Sequence, residues 1–223
     1  MHPPILVVAA VRQELAAFEP AAGRVLCRLT GMGPRAGKTV AGLLAREPYR
    51  MVISAGFAGA TQPGYGVGDL VAASEVIDVS SGRRTPAGPI GPRLSGLARQ
   101  GRFITVDRVL SGPSKVEMGR RFGGIAVDME TASVAAAADR AGVPWVGLRA
   151  ILDPVEVSIP VVSALAAAGG GRTTGLDLVA AAATLVQPWR WGEWVDLIRS
   201  VRKAKESLGA GLQFLVEEFL SSN

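Results

Sequence analysis

Three carboxylates in this 223-residue chain stand where apolar runs give way to polar ones. Glu14 follows Ala9-Ala10-Val11-Arg12-Gln13. Glu130 follows Ala126-Val127-Asp128-Met129. Asp153 closes Arg149-Ala150-Ile151-Leu152 ahead of Pro154. Each apolar run reads as a buried strand, so each carboxylate falls at a strand end. Acids in apolar surroundings shift their proton affinity, which suits them to acid/base work. His2 is the one histidine, so the pattern points to carboxyl chemistry on a neutral polar substrate. Taken singly, each acid has a plainer reading. Glu130 suits the first turn of a helix, Asp128 a helix cap, Asp153 a turn, and Glu14 a solvated helix face. Their arrangement together, alongside Ala58-Gly59, is what suggests a site.

The composition narrows the classes. Apolar residues make up 48% and charged residues 19%, enough for a full core and unlike a disordered chain. Cys27 is the only cysteine, which leaves no disulfide framework and no cysteine-based zinc site; it reads as a buried structural thiol. A single histidine argues against a Ser-His-Asp triad and against His-rich metal centres. The +5 net charge is scattered except near the C-terminus, and aromatics are 5%, too few for a nucleic-acid interface with stacking platforms. The run Ile5 to Ala10 is too short for a signal core and no later run reaches a membrane span, so a cytoplasmic location is expected.

The elements follow from periodicity. Strands are expected at Ile5–Ala10, Arg24–Thr30, Met51–Gly56, within Gly68–Asp78, and at Arg102–Leu110, Ile125–Asp128 and Trp145–Leu152. Helices are expected at Gln13–Phe18, Lys38–Arg46, Leu94–Gln100, Ser114–Phe122 and Thr131–Ala141. Phe57-Ala58-Gly59-Ala60 reads as a glycine-rich turn, and Ser80–Pro92 as a loop. Gly31-Met32-Gly33 lacks the third glycine of a dinucleotide loop, since Ala36 stands there. It reads as a tight strand-to-helix turn whose amides meet an anion or hydroxyl. Strands alternating with helices give an α/β fold. Helical patterns at Thr174–Leu185 and Trp191–Phe219, broken at Gln187-Pro188, make the last third a helical extension (about 174–223) of one domain spanning 1–223. In that extension Trp189, Trp191 and Trp194 sit beside Arg190, Arg199, Arg202, Lys203 and Lys205. This is an interfacial-helix pattern. The plainer reading packs the helix on the core or a subunit, with Leu197, Ile198 and Val201 buried. Leu208, Leu212, Leu215 and Phe219 continue a stripe that also suits oligomerisation.

Six segments together resemble the purine nucleoside phosphorylase and nucleosidase superfamily over roughly residues 5 to 160. They are Ala10–Glu14, Thr30–Gly33, Ser54–Gly59, Gly68–Val71, Val127–Glu130 and Arg149–Asp153. The likeness is greatest to its methylthioadenosine/adenosylhomocysteine nucleosidase branch. The resemblance implies a three-layer α/β phosphorylase/hydrolase-like fold with a mixed, partly closing sheet. It implies cleavage of a ribosyl N-glycosidic bond, no cofactor, and a homo-oligomer. By resemblance, Asp153 is the acid on the purine, Glu130 binds the ribose hydroxyls, Met129 packs on the sugar, and Glu14 positions or deprotonates the attacking water. Val109 and Leu110 line the base pocket. Phe57, Ala58, Gly59, Asp128 and Gly33 complete the substrate-binding set. Asp153 must then hold its proton near neutrality, which burial favours.

Departures from the family pattern matter. Ser54 and Phe57 stand where the phosphorylase branch holds phosphate, which favours water, although Arg12 and Arg35 keep phosphate open as a co-substrate. Leu152 replaces a small polar residue beside the acid. A narrower resemblance is to the hopanoid-associated phosphorylase-like proteins. It rests on Asp107-Arg108-Val109-Leu110 followed by Lys115, on Ile151–Pro154, and on the tail from Leu185-Val186-Gln187-Pro188-Trp189 to Arg202-Lys203-Ala204. It implies adenine removal from adenosylhopane, with the C-terminal Trp/Arg/Lys helix touching the inner face of the membrane. The readings left beside these are a methylthioadenosine/adenosylhomocysteine nucleosidase, a phosphate-dependent phosphorylase, and a catalytically inactive membrane-associated ligand-binding protein.

Overall fold

The computed structural model describes residues 3–110, 112–156 and 191–221. Its strands form one mixed eight-stranded sheet. β1 (Ile5–Ala9) lies parallel between β2 (Val25–Leu29) and β3 (Met51–Ala60). From β3 the sheet closes on itself. β3 runs parallel to β8 (Trp145–Asp153), and β8 antiparallel to β4 (Leu70–Asp78). β4 runs parallel to β6 (Ala98–Thr105), β6 parallel to β7 (Ala126–Asp128), and β7 returns antiparallel to the end of β3. The expected partly closing mixed sheet is therefore present.

Helices cover both faces, because alternate residues of each buried strand serve opposite sides. Leu6 and Val8 of β1 meet α1 (Arg35–Leu44) and α4 (Thr131–Arg140) through Ala36, Val40, Val134 and Ala138. Ile5 and Val7 face the other core, filled by Phe18, by Leu94 of α2 (Pro92–Ser95) and by α5 (Trp191–Ser221). α3 (Gly112–Phe122) packs Met118 and Phe122 at a third, smaller cluster around Ile104 and Val127. The three layers match the expected fold class.

Several local expectations change. Phe57–Ala60 is no turn: β3 runs through it, with a register shift at Ala58/Gly59 where the strand passes from β8 to β7. Here Gly59 is required by space, since a Cβ would meet Lys115 Cδ at 2.9 Å and Val127 Cγ1 at 3.3 Å. Ser80–Pro92 contains β5 (Arg84–Pro86), which pairs antiparallel with β4. α2 is one turn ending before Gly96, and β6 begins at Ala98, four residues ahead of the expected strand. Pairing with Leu70–Ala73 of β4 overrides the weak strand preference of Arg99-Gln100-Gly101. Glu14 lies on a single 3₁₀ turn, Arg12–Leu15. Cys27 is half-buried, not buried.

The C-terminal helix is spent largely on the core. Ala204, Leu208, Leu212 and Leu215 recur at three- and four-residue spacing and are fully buried against β8 and the strands beside it. The leucines of the stripe are thereby occupied within the chain, not left for a subunit contact. Ile198, expected inside, is 65% exposed. The helix at Thr174–Leu185, the break at Gln187-Pro188, Trp189, Arg190 and the side chains of Trp191 and Trp194 lie outside the described residues. Among the described residues, no helix is long and apolar enough to cross a membrane.

Candidate active site

The residues that follow β1, β6 and β7 meet the ends of β3 and β8 around a cavity of about 280 Å³. Its wall includes Glu14, Glu130 and Asp153, with Phe57, Ala58, Gly59, Val109, Leu110 and Met129. Acids 116 and 139 residues along the chain from Glu14 (130 − 14 and 153 − 14) thus share one hollow.

Glu14 is held by backbone donors. Its Oε2 accepts from the N–H groups of Ala10 (2.8 Å) and Val11 (3.0 Å), and its Oε1 from that of Phe57 (3.0 Å). The side chain is buried. Three amides, two just after β1 and one within β3, are thereby taken by this carboxylate.

Glu130 stands just before α4. Its Oε1 accepts from the Gly33 N–H at 2.8 Å. Gly33 has φ +69°, a left-handed conformation that glycine adopts freely, and it aims that amide inward. The turn does offer an amide to an anion, but the anion is the chain's own. The Gly33 amide, expected to meet substrate, is thus engaged by Glu130. Burial pushes the Glu130 carboxyl up to about 7, with Asp128 and Glu14 adding to the rise and Gly33 and Arg149 opposing it.

Asp128, expected to bind substrate, does line the cavity, and its carboxylate is held by the chain's own groups. Its side chain is 1% exposed. Oδ1 accepts from the Thr105 hydroxyl (2.7 Å) and the Thr131 N–H (3.3 Å). Oδ2 takes the Thr131 hydroxyl and an ion pair with Arg149 Nη2 at 3.0 Å. Arg149 in turn donates to the Ser54 carbonyl (2.7 Å), the Ser54 hydroxyl (3.1 Å) and the Thr131 hydroxyl (2.7 Å). This buried network ties β3, β6, β7, β8 and α4 together at the cavity wall. Its signal in the sequence is an arginine inside an apolar strand, which must have a buried partner.

Asp153 ends β8, where the register jumps from Ala58↔Ile151 to Gly59↔Asp153. Its Oδ2 pairs with Lys115 Nζ at 2.6 Å. Burial raises its carboxyl above the ordinary range, and the Lys115 ammonium works against that rise. Lys115, 2% exposed, carries no role in the sequence reading, although a lysine three residues into an amphipathic helix gives little warning of burial. Met32, Val11 and Arg108 also line the cavity and were not assigned there. Arg12 and Arg35, the candidate phosphate ligands, are exposed and lie off the cavity wall. Among the described residues no cluster could hold a metal ion.

Residues 10–163 match the family described as the phosphorylase superfamily. The chain belongs to that superfamily. It is an enzyme of the nucleosidase and nucleoside phosphorylase class. Among curated protein sequences none matches this one. Solved structures with a similar fold include the Arabidopsis thaliana 5′-methylthioadenosine nucleosidase in apo form, at 15% identity and TM-score 0.70 over 99% of this chain and 97% of that one. The Neisseria meningitidis 5′-methylthioadenosine/S-adenosylhomocysteine nucleosidase in complex with methylthio-immucillin-A is 19% identical, with TM-score 0.68 over 97% and 100%. The Helicobacter pylori futalosine hydrolase is 17% identical, with TM-score 0.66 over 97% and 98%.

Proposed function

We propose that this enzyme hydrolyses the N-glycosidic bond of a 5′-modified purine nucleoside and releases adenine. One observation carries the reading: Glu14, Glu130 and Asp153 line a single cavity. As the C1′–N9 bond breaks, the ribose turns oxocarbenium-like and the base needs a proton. Asp153 gives its proton to N7. Glu130 accepts hydrogen bonds from the 2′ and 3′ hydroxyls and lends negative charge to the sugar. Glu14, pinned by three backbone N–H groups, orients the water that attacks C1′ and receives its proton. Structures of similar fold include methylthioadenosine nucleosidases and a futalosine hydrolase, which supports the reaction class.

Water as nucleophile is favoured because Glu14 occupies the Ala10, Val11 and Phe57 amides and Phe57 offers no charged side chain. Adenine release in phosphate-free buffer tests this. Release that appears only on adding phosphate, with the 5-modified ribose 1-phosphate as product, overturns hydrolysis and points to Arg108 on the cavity wall.

An apolar 5′ group is supported by Val11 and Met32, which are 37% and 60% exposed and line the cavity beside Glu14 and Gly33. Adenosylhopane carries such a group, with methylthioadenosine as the smaller alternative. Working on a membrane lipid calls for surface contact through the start of α5. There Arg199 and Arg202 are about three-quarters exposed, though they pair with Asp196 and Glu206. Co-sedimentation of the full chain with anionic liposomes, compared with Arg199→Glu/Lys203→Glu, tests that contact; equal binding by both overturns it.

A further inference from the structure

Among the described residues, Lys115 is the buried cation that touches the proposed purine acid. Three acceptors surround its Nζ: Asp153 Oδ2 at 2.6 Å, the Asp153 carbonyl at 2.9 Å and the Pro154 carbonyl at 3.3 Å. Three donors of an ammonium thus meet three oxygens at the end of β8. The side chain reaches them by crossing Gly59, where a methyl group would stand 2.9 Å from its Cδ. The neighbour of the acid, Leu152, has no polar atom on its side chain to hold the carboxyl.

We propose that Lys115 is the positioning residue of the purine acid: it clamps Asp153 Oδ2, turns Oδ1 toward the base, and steadies the carboxylate left behind. This rests on reading Asp153 as the acid. The proton passes from Asp153 Oδ1 to N7 while the C1′–N9 bonding pair stays on N9. Lys115 keeps its three protons throughout, and its charge balances the new carboxylate. Without it, burial acts on Asp153 unopposed and the carboxyl becomes a weaker acid. The other charged groups on the cavity wall are Glu14, Asp128, Glu130 and Arg108, and none of them bonds Asp153.

The test is a ¹³C titration of the Asp153 carboxyl in aspartate-labelled protein, assigned with Asp153→Asn, run beside the pH profile of adenine release. Lys115→Met should titrate at least one pH unit above wild type. Its kcat should fall about tenfold or more, and the alkaline limb should move upward with the titration. Gly59→Ala keeps the ammonium but displaces it, so it should shift the titration in the same direction by less; it carries the test if Lys115→Met does not fold. Equal titrations in wild type and both variants overturn the clamp. A shifted titration in a protein that cleaves no nucleoside upholds the clamp and overturns the proposed reaction instead.

Discussion

Gly33 and Glu130, 97 residues apart, are joined by a 2.8 Å hydrogen bond from the glycine amide to the carboxylate. That bond links the turn after β2 to the start of α4 and fixes one wall of the cavity. It also leaves Glu130 half-buried near two other acids, with its carboxyl at about 7.

Activity should follow the ionisation of Glu130. In the proposed reaction the carboxylate is the form that accepts both ribose hydroxyls, so kcat/KM should fall as pH drops below about 7. Glu130→Gln keeps the Gly33 bond but cannot ionise. It should lose about 10²-fold in kcat/KM, and the acidic limb should disappear from its pH–rate profile. An unchanged limb would assign it to another group.

The same group should also set a stability trend. A carboxyl raised in the folded state binds more protons folded than unfolded, between its ordinary 4.5 and about 7. Stability should therefore decline as pH rises through that window. Urea unfolding at pH 5 and pH 8 should show Glu130→Gln gaining on wild type at the higher pH, by roughly 1–3 kcal/mol.

Asp153→Asn removes the proposed proton donor but keeps the shape. Adenine release should drop about 10²- to 10⁴-fold, chiefly in kcat. The loss should nearly vanish with a nitrophenyl riboside, whose leaving group needs no proton. A similar loss on both substrates would mean that Asp153 acts on folding or binding, not as an acid.

Arg149→Met should destabilise the fold by about 3–5 kcal/mol in denaturant titration, because it strands the buried Asp128 carboxylate. Leu212→Ala, in the helix packed on β8, should cost about 2–5 kcal/mol. A loss under about 1 kcal/mol for Leu212→Ala would show that α5 is not anchored there.

Apolar strands β1, β3 and β8 were legible because hydrophobic runs this long have few other uses. So were Glu14 after β1 and Asp153 at the end of β8. What escaped the sequence depends on partners far along the chain. Gly59 reads as a turn residue, yet it is glycine because Lys115 crosses it. Gly33 reads as a ligand site, yet its amide meets Glu130. Asp128 reads as a substrate contact, and it lines the cavity, but nothing local announces that Thr105, Thr131 and Arg149 hold its carboxylate. The helix from Trp191 was recognised, but its burial by Leu208 and Leu212 was one option among several. Periodicity reveals an apolar stripe and not what the stripe covers.

The most direct test is a crystal structure with a non-cleavable 5′-substituted adenosine analogue bound. N7 should lie within hydrogen-bond distance of Asp153 Oδ1, both ribose hydroxyls on Glu130, and a water between Glu14 and C1′. A ligand lying outside the cavity, or one seated with its base on Glu130 and its sugar on Asp153, would contradict the proposed reaction.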